Sequence, residues 1–262
     1  MARNPRRSVG GRSSAEELAA LATDLDLTAL AQKLPELLAG AERDSPSFTE
    51  FALAMFRTEA NARAERRLQR SLHRSRLGVV EGLDGFDFAA RPDLDPRLVR
   101  ELLGCRFVEE HRNVLCLGRP GLGKTRIAKA ISHAACLAGY SVLCVLTAEM
   151  IEELHASQAD GTFKRTFRRY VKPAVLLLDE FAYQPLSSEA TNYLFRIISA
   201  RHRQASTLIT ANTGFASWKN LFPSEATAVA TADRLVDAAT ILRFTGKSFR
   251  KPREVVGAPL ED

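Results

Sequence analysis

Gly118-Arg-Pro-Gly-Leu-Gly-Lys-Thr125 lies between the apolar run Asn113-Val-Leu-Cys-Leu117 and the helical stretch Arg126-Ile-Ala-Lys-Ala-Ile-Ser132. The octapeptide fits G-x-x-x-x-G-K-[ST], and its flanks supply the strand before and the helix after that this pattern requires. Each residue type has a physical task. A polyphosphate needs a concave row of backbone N–H donors, and Gly118, Gly121 and Gly123 let the chain curl closely around it because they carry no Cβ. Lys124 offers a compact charge to the β and γ phosphates, Thr125 offers a hydroxyl to Mg²⁺, and the helix that opens here points its positive end at the anion. The whole run, with Arg119, Pro120, Leu122 and Arg126 among the glycines and after them, is the expected nucleotide-binding loop.

Two later strand ends complete such a site. Ala174-Val-Leu-Leu-Leu-Asp179-Glu180 reads as a buried parallel strand closing on two carboxylates, 55 residues after Lys124. Asp179 is expected to orient Mg²⁺ through water, and Glu180, just beyond the strand, to polarise an attacking water. Ser206-Thr-Leu-Ile-Thr-Ala-Asn212 ends in an amide. Asn212 is a neutral donor and acceptor that could hold that water where a carboxylate would repel it, although strand-end asparagines also form turns. There is no N-K-x-D segment to read guanine, and nothing beyond the phosphate loop suggests the acceptor pocket of a small-molecule kinase.

The 262 residues are unevenly composed, which favours two domains. A disordered basic tail is expected over 1–14 and a helical domain over 15–80, where leucines recur at three- and four-residue spacing and Ser47-Phe-Thr-Glu50 has capping-box spacing. A linker holding Phe86-Asp-Phe88 is expected over 81–97, and an α/β nucleotide-binding domain over 98–262. Thr147 is placed to cap a helix after the strand Tyr140 to Leu146.

The net charge of +6 and a pI near 9.3 make an anionic polymer a plausible partner. Two basic segments are candidates for phosphate-backbone contact. Arg63, Arg67, Arg70 and Arg74 share a helical stripe, offset locally only by Glu65. Lys164, Arg165, Arg168 and Arg169 interleave with Phe163, Phe167 and Tyr170, whose helical spacing turns the aromatics to the core and the cations outward, with no local acid. Both segments also fit plain solvated faces. Cys105, Cys116, Cys136 and Cys144 show neither C-x-x-C nor metal spacing and read as reduced thiols in a cytoplasmic protein. No stretch reads as a membrane span or a secretory signal.

In order, GRPGLGKT, LLLDEFAYQPLS, LITAN followed by a tryptophan, DRL and GKSFR resemble the IstB-type AAA+ ATPases, helpers of bacterial insertion-sequence transposition related to DnaC-type helicase loaders. The likeness runs from about Leu25 to Arg250. It implies a P-loop AAA+ core with a parallel sheet flanked by helices, preceded by a small all-helical domain. Only 17 residues follow Thr245, so no full C-terminal helical lid is expected. The resemblance further implies ATP and Mg²⁺ as cofactors, self-assembly driven by ATP, double-stranded DNA as ligand and a cognate transposase as partner. It assigns Asn212 as a sensor, Arg234 as an arginine finger reaching a neighbour's ATP, and Arg250 as a second sensor. It also places the segment Lys164 to Arg169 toward DNA. Arg119 departs from the family's commoner small or proline residue and is expected to point outward, and Phe249 stands where a tyrosine is usual. A helicase loader and an ATP-bound DNA scaffold that does not hydrolyse remain as alternatives. The intact Asp179, Glu180 and Asn212 argue against the scaffold.

Overall fold

The structure is a computed structural model that describes residues 13–181 and 183–249, and the chain divides into two compact units, Met1–Gln69 and Arg70–Asp262. The first holds α1 (Ser14–Asp24), α2 (Thr28–Asp44) and most of α3 (Phe48–Ser75). The division falls inside α3, where the helical pattern has no break.

Local chemistry sets these helix starts. Ser13 and Glu16 form a capping box on α1, so the helix begins within the expected tail; residues 1–12 of that tail lie outside the described residues. Ser47 and Glu50 do the same for α3, with Ser47 N–H donating to Glu50 Oε2 at 2.8 Å and Glu50 N–H to Ser47 Oγ at 3.3 Å. By contrast, α2 follows Leu27, which has no side-chain acceptor to cap it. Buried Glu59 of α3 supplies one, accepting from the N–H groups of Ala29 at 2.9 Å and Leu30 at 3.1 Å. Arg63 and Arg66 then close on its other oxygen at 2.9 and 3.0 Å. Glu65 is therefore not the only offset to the arginine stripe: Arg63 is held by a carboxylate one helical turn back.

In the second unit α4 (Pro96–Leu103) and the short α5 (Arg106–Glu109) lead to β1 (Val114–Gly118), α6 (Lys124–Leu137), β2 (Val142–Leu146), α7 (Thr147–Ala159) and α8 (Phe163–Val171). Then follow β3 (Val175–Asp179), α9 (Ser188–Arg201), β4 (Ser206–Ala211), α10 (Phe215–Trp218), α11 (Glu225–Val236) and β5 (Thr240–Phe244). The five strands form a parallel sheet in the order β2-β3-β4-β1-β5. Their side chains alternate between two cores. Cys116, Cys144, Leu177 and Leu208 face Ile127 and Ile131 of α6, whereas Leu115, Val145, Leu178 and Ile209 face Met150, Leu154, Leu194 and Leu235 of α7, α9 and α11. Both sheet faces are covered, which is why these strands read as continuous apolar runs.

One expectation changes here. Thr147 does not cap α7 but is its first residue, and its hydroxyl donates to Asp179 O at 2.9 Å. The stretch expected as a linker has neither helix nor strand up to α4, and Phe86, Arg91 and Leu94 in it are buried in this unit. The four cysteines are free and buried, with burial pushing Cys116 up to about 12 and Cys144 to about 11. Such thiols stay protonated and behave as apolar filler. Among the described residues no helix is long and apolar enough to cross a membrane.

Candidate functional site

β1 feeds the loop 118–123 and α6 starts at Lys124, so the loop sits where the strand hands over to a helix N-terminus. Its glycines do separate jobs. Gly118 has φ 153 and pairs with Phe244 of β5; a Cβ there would lie 2.2 Å from the Phe244 carbonyl oxygen. Its smallness serves the neighbouring strand rather than a ligand. Gly123 has φ 92, and a Cβ would meet the Phe86 ring at 2.6 Å. Arg119 is exposed as expected, and its carbonyl accepts from Lys124 Nζ at 2.8 Å.

Because β4 lies between β1 and β3, the ends of all three strands converge on this loop. Lys124 Nζ also donates to Asn212 Oδ1 at 2.9 Å, and Thr125 Oγ1 donates to Asp179 Oδ1 at 3.0 Å. Asp179 is buried, while Glu180 is exposed toward a cleft of about 730 Å³. Pro120 to Arg126, Glu180, Thr210 and Asn212 line one part of that cleft, and Glu81, Gly85, Phe86, Asp87, Tyr183 and Phe249 the other. The loop, both strand-end acids or their partners, and the amide that sequence reading singled out are thus brought together.

Several contacts of the site escaped that reading. Arg126 was grouped with the loop, but its guanidinium turns to the preceding segment, donating to Gly82 O at 2.6 Å and Asp84 O at 2.9 Å. Fully buried Arg91 donates from Nε to Leu122 O at 2.9 Å and lies 3.8 Å from the Phe249 ring centre, while Phe249 N–H donates to Gly121 O at 2.8 Å. These contacts fasten the approach segment and the segment after β5 onto the loop. Nothing in the sequence marked Arg91, since a lone arginine in a polar stretch has no pattern. Thr210 was legible only as a strand residue, yet it donates to Asp179 Oδ1 and accepts from Glu180 N–H at 3.0 Å.

Other expected residues lie elsewhere. Arg234 on α11 is not among the cleft-lining residues; it donates to Ala230 O at 3.0 Å and lies 4.7 Å from the Phe195 ring centre. Arg250 lies outside the described residues, as do residues 251–262 of the region expected to lack a lid. Lys164, Arg165, Arg168 and Arg169 of α8, with Gly161, Thr162 and Lys172, line a groove of about 640 Å³. Tyr170 is buried and Phe163 and Phe167 pack against the core, as the spacing implied. The segment does have an acid, however: Glu153 of α7 accepts from Arg169 at 3.0 Å, from Arg76 at 3.2 Å and from Tyr170. Burial alone would raise the Glu153 pKa, but these donors hold it below the ordinary carboxylate value. Of the stripe, Arg67 in the first unit and Arg70 and Arg74 in the second are exposed.

The residues present fit a nucleoside triphosphate with Mg²⁺. The loop offers N–H groups at a helix N-terminus, Lys124 brings a cation to its centre, and Thr125 with Asp179 offers hard oxygens. Among the described residues no three acidic, histidine or cysteine groups could hold a metal by themselves. Mg²⁺ at a polyphosphate is ordinarily held by one or two protein oxygens together with the phosphates. Fold and site together define a P-loop protein with an AAA+ core.

The chain belongs to the family described as IstB-like ATP binding protein, whose model matches residues 20–256. It is 35% identical over 234 residues to a protein of insertion sequence IS21 in Pseudomonas aeruginosa that is named for ATP binding, covering 89% of this chain and 88% of the relative. A similarly named protein of insertion sequence IS5376 in Geobacillus stearothermophilus is 31% identical over 226 residues, covering 86% and 90%. Among solved structures, DnaI matches with a TM-score of 0.53 at 23% identity, covering 66% of this chain and 92% of that one. The DnaC helicase loader matches with a TM-score of 0.50 at 18% identity, covering 57% and 87%. These two likenesses concern the fold.

Proposed function

We propose that this chain is an ATP-dependent helper of insertion-sequence transposition: it binds Mg·ATP in the cleft, assembles with copies of itself on duplex DNA, recruits and stimulates its cognate transposase, and hydrolyses ATP. The observation that carries the reading is the convergence of Lys124 with Asn212 and of Thr125 with Asp179 at one cleft. Family membership favours transposition over helicase loading, because the insertion-sequence relatives match over nearly the whole chain.

The residues divide the work. Lys124 and the loop N–H groups bind the phosphates, and Thr125 and Asp179 would hold the metal. When bound, Mg²⁺ neutralises charge on the phosphate oxygens. Glu180, exposed to the cleft, orients a water and accepts its proton, and Asn212 steadies that water from the next strand end. Arg234, away from its own cleft, serves a neighbouring subunit's nucleotide. The α8 cations, with Arg67, Arg70 and Arg74 as further contacts, hold DNA through its phosphates.

The test is phosphate release by the purified chain with Mg·ATP, with and without duplex DNA, beside Glu180→Gln. Glu180→Gln is expected to bind ATP and lose turnover by about 10²-fold or more. In a reconstituted reaction the wild type should raise strand transfer by its cognate transposase. Equal turnover in both proteins would remove Glu180 from the mechanism, and no effect on strand transfer would remove the transposition reading.

A further inference from the structure

Asp179 and Glu180 share one peptide unit, and that unit is gripped from both sides. Its carbonyl, belonging to Asp179, accepts from Thr147 Oγ1 at 2.9 Å, and its N–H, belonging to Glu180, donates to Thr210 Oγ1 at 3.0 Å. Thr147 follows β2 and Thr210 lies on β4, the two strands that flank β3, and both side chains are buried. Thr210 makes two more contacts: its hydroxyl donates to Asp179 Oδ1, and its carbonyl accepts from Phe181 N–H at 2.8 Å.

The grip answers a geometric demand. Glu180 has φ 54, a left-handed conformation that a residue with a Cβ adopts only at a cost in energy and that its surroundings must enforce. Here it turns the chain out of the sheet so that consecutive carboxylates sit at different depths, Asp179 buried beside Thr125 and Glu180 in the cleft. Rotating the shared peptide would move both. One hydroxyl can restrain it because a threonine oxygen donates one proton and accepts with its lone pairs. Here Thr210 gives its proton to the first acid and accepts the N–H of the second.

We propose that Thr210 is a positioning residue for ATP hydrolysis, acting with Thr147 as a two-sided clamp that fixes the peptide between Asp179 and Glu180 and so the direction of the Glu180 carboxylate. This rests on the reading of the cleft as an ATPase site. Valine fills the space of threonine but neither donates nor accepts, whereas serine keeps the hydroxyl and loses the methyl, so the two replacements separate hydrogen bonding from packing.

The experiment compares the full-length wild type with T210V, T210S, T147V and E180Q, measuring turnover across ATP concentrations and affinity for a fluorescent ATP analogue with Mg²⁺. T210V should bind the analogue within about threefold of wild type and lose kcat by about 10²-fold with little change in KM, the pattern of misplaced catalytic geometry. T210S should regain most of that kcat, and T147V should lose kcat in the same direction. A wild-type kcat in T210V, or a T210S as slow as T210V, overturns the proposal. Should T210V fail to bind nucleotide, T147V tests the other end of the peptide, and unaltered turnover there overturns the clamp. A wild type that binds nucleotide but releases no phosphate above the background without protein overturns the ATPase reading and this inference with it. That outcome is distinct from a working wild type matched by T210V.

Discussion

Lys124 Nζ donates to Asn212 Oδ1 across 2.9 Å, joining the first residue of α6 to the residue just beyond β4 although 88 positions separate them. The contact exists because β4 pairs directly with β1, so the strand end carrying the amide lies beside the loop that carries the lysine. Lys124→Ala removes a charge-assisted donor to the phosphates and should weaken Mg·ATP binding by about 2–3 kcal/mol. Since the two side chains touch, the losses from Lys124→Ala and Asn212→Ala should not add, with a coupling of about 0.5–3 kcal/mol. Titration calorimetry on both single variants and the double variant measures this, and unchanged affinity in Lys124→Ala contradicts the phosphate assignment.

Arg234 on α11, outside the lining of its own cleft, is the residue proposed above to serve a neighbour's nucleotide. Turnover per subunit should then rise with protein concentration. Mixtures of Arg234→Ala with Lys124→Ala chains should recover activity that neither has alone, because each supplies the half the other lacks. If mixtures shown by light scattering to co-assemble stay inactive, the finger is not contributed between subunits.

Exposed Lys164, Arg165 and Arg168 border the α8 groove, and Arg169 reaches it from its pair with Glu153. Phosphate contacts release counterions, so log affinity for duplex DNA should fall with log salt by about 0.9 per phosphate neutralised, nearly regardless of sequence. Replacing Lys164 and Arg168 together by alanine should make that slope shallower and weaken all duplexes alike, with ATP binding intact. Fluorescence anisotropy over a salt series decides it, and an unaltered slope moves the DNA surface elsewhere.

Glu59 gives the helical unit a defined pH response. Burial pushes its pKa up, but Arg63 and the N–H groups of Leu30 and Ala29 outweigh this and hold it below the ordinary carboxylate value. A depressed folded-state pKa stabilises fully above the unfolded value near about 4.3, and that contribution is lost as pH falls through the lower folded value. Glu59→Gln should therefore melt below the wild type at pH 7, with the gap closing in acid. Circular dichroism melts across that range read it directly, and a gap independent of pH would show that the charge on Glu59 contributes nothing.

Much of the site was legible because its parts obey short-range rules. The loop from Gly118 to Thr125 announces itself by glycine spacing before a helix, and Asp179, Glu180 and Asn212 by standing where apolar runs stop. The capping boxes at Ser13 and Ser47 are likewise three-residue relationships. Thr147 was misread on the same logic: a threonine before a helix suggests a cap, but Leu146 takes the cap position, and the Thr147 hydroxyl donates to the carbonyl of Asp179, 32 positions away.

By itself the sequence determined the nucleotide loop, the parallel α/β class and the order of its strands along the chain, since local periodicity and backbone freedom dictate these. Only the tertiary structure decided that β4 inserts between β1 and β3, that Arg91 and Phe249 brace the loop, that Glu59 and Glu153 neutralise arginines thought to be open, and that Thr147 and Thr210 hold one peptide from opposite sides. The physical reason is that a buried hydrogen-bonding group must find a partner wherever the packed fold brings one within about 3 Å, and that distance has no fixed counterpart in residue number.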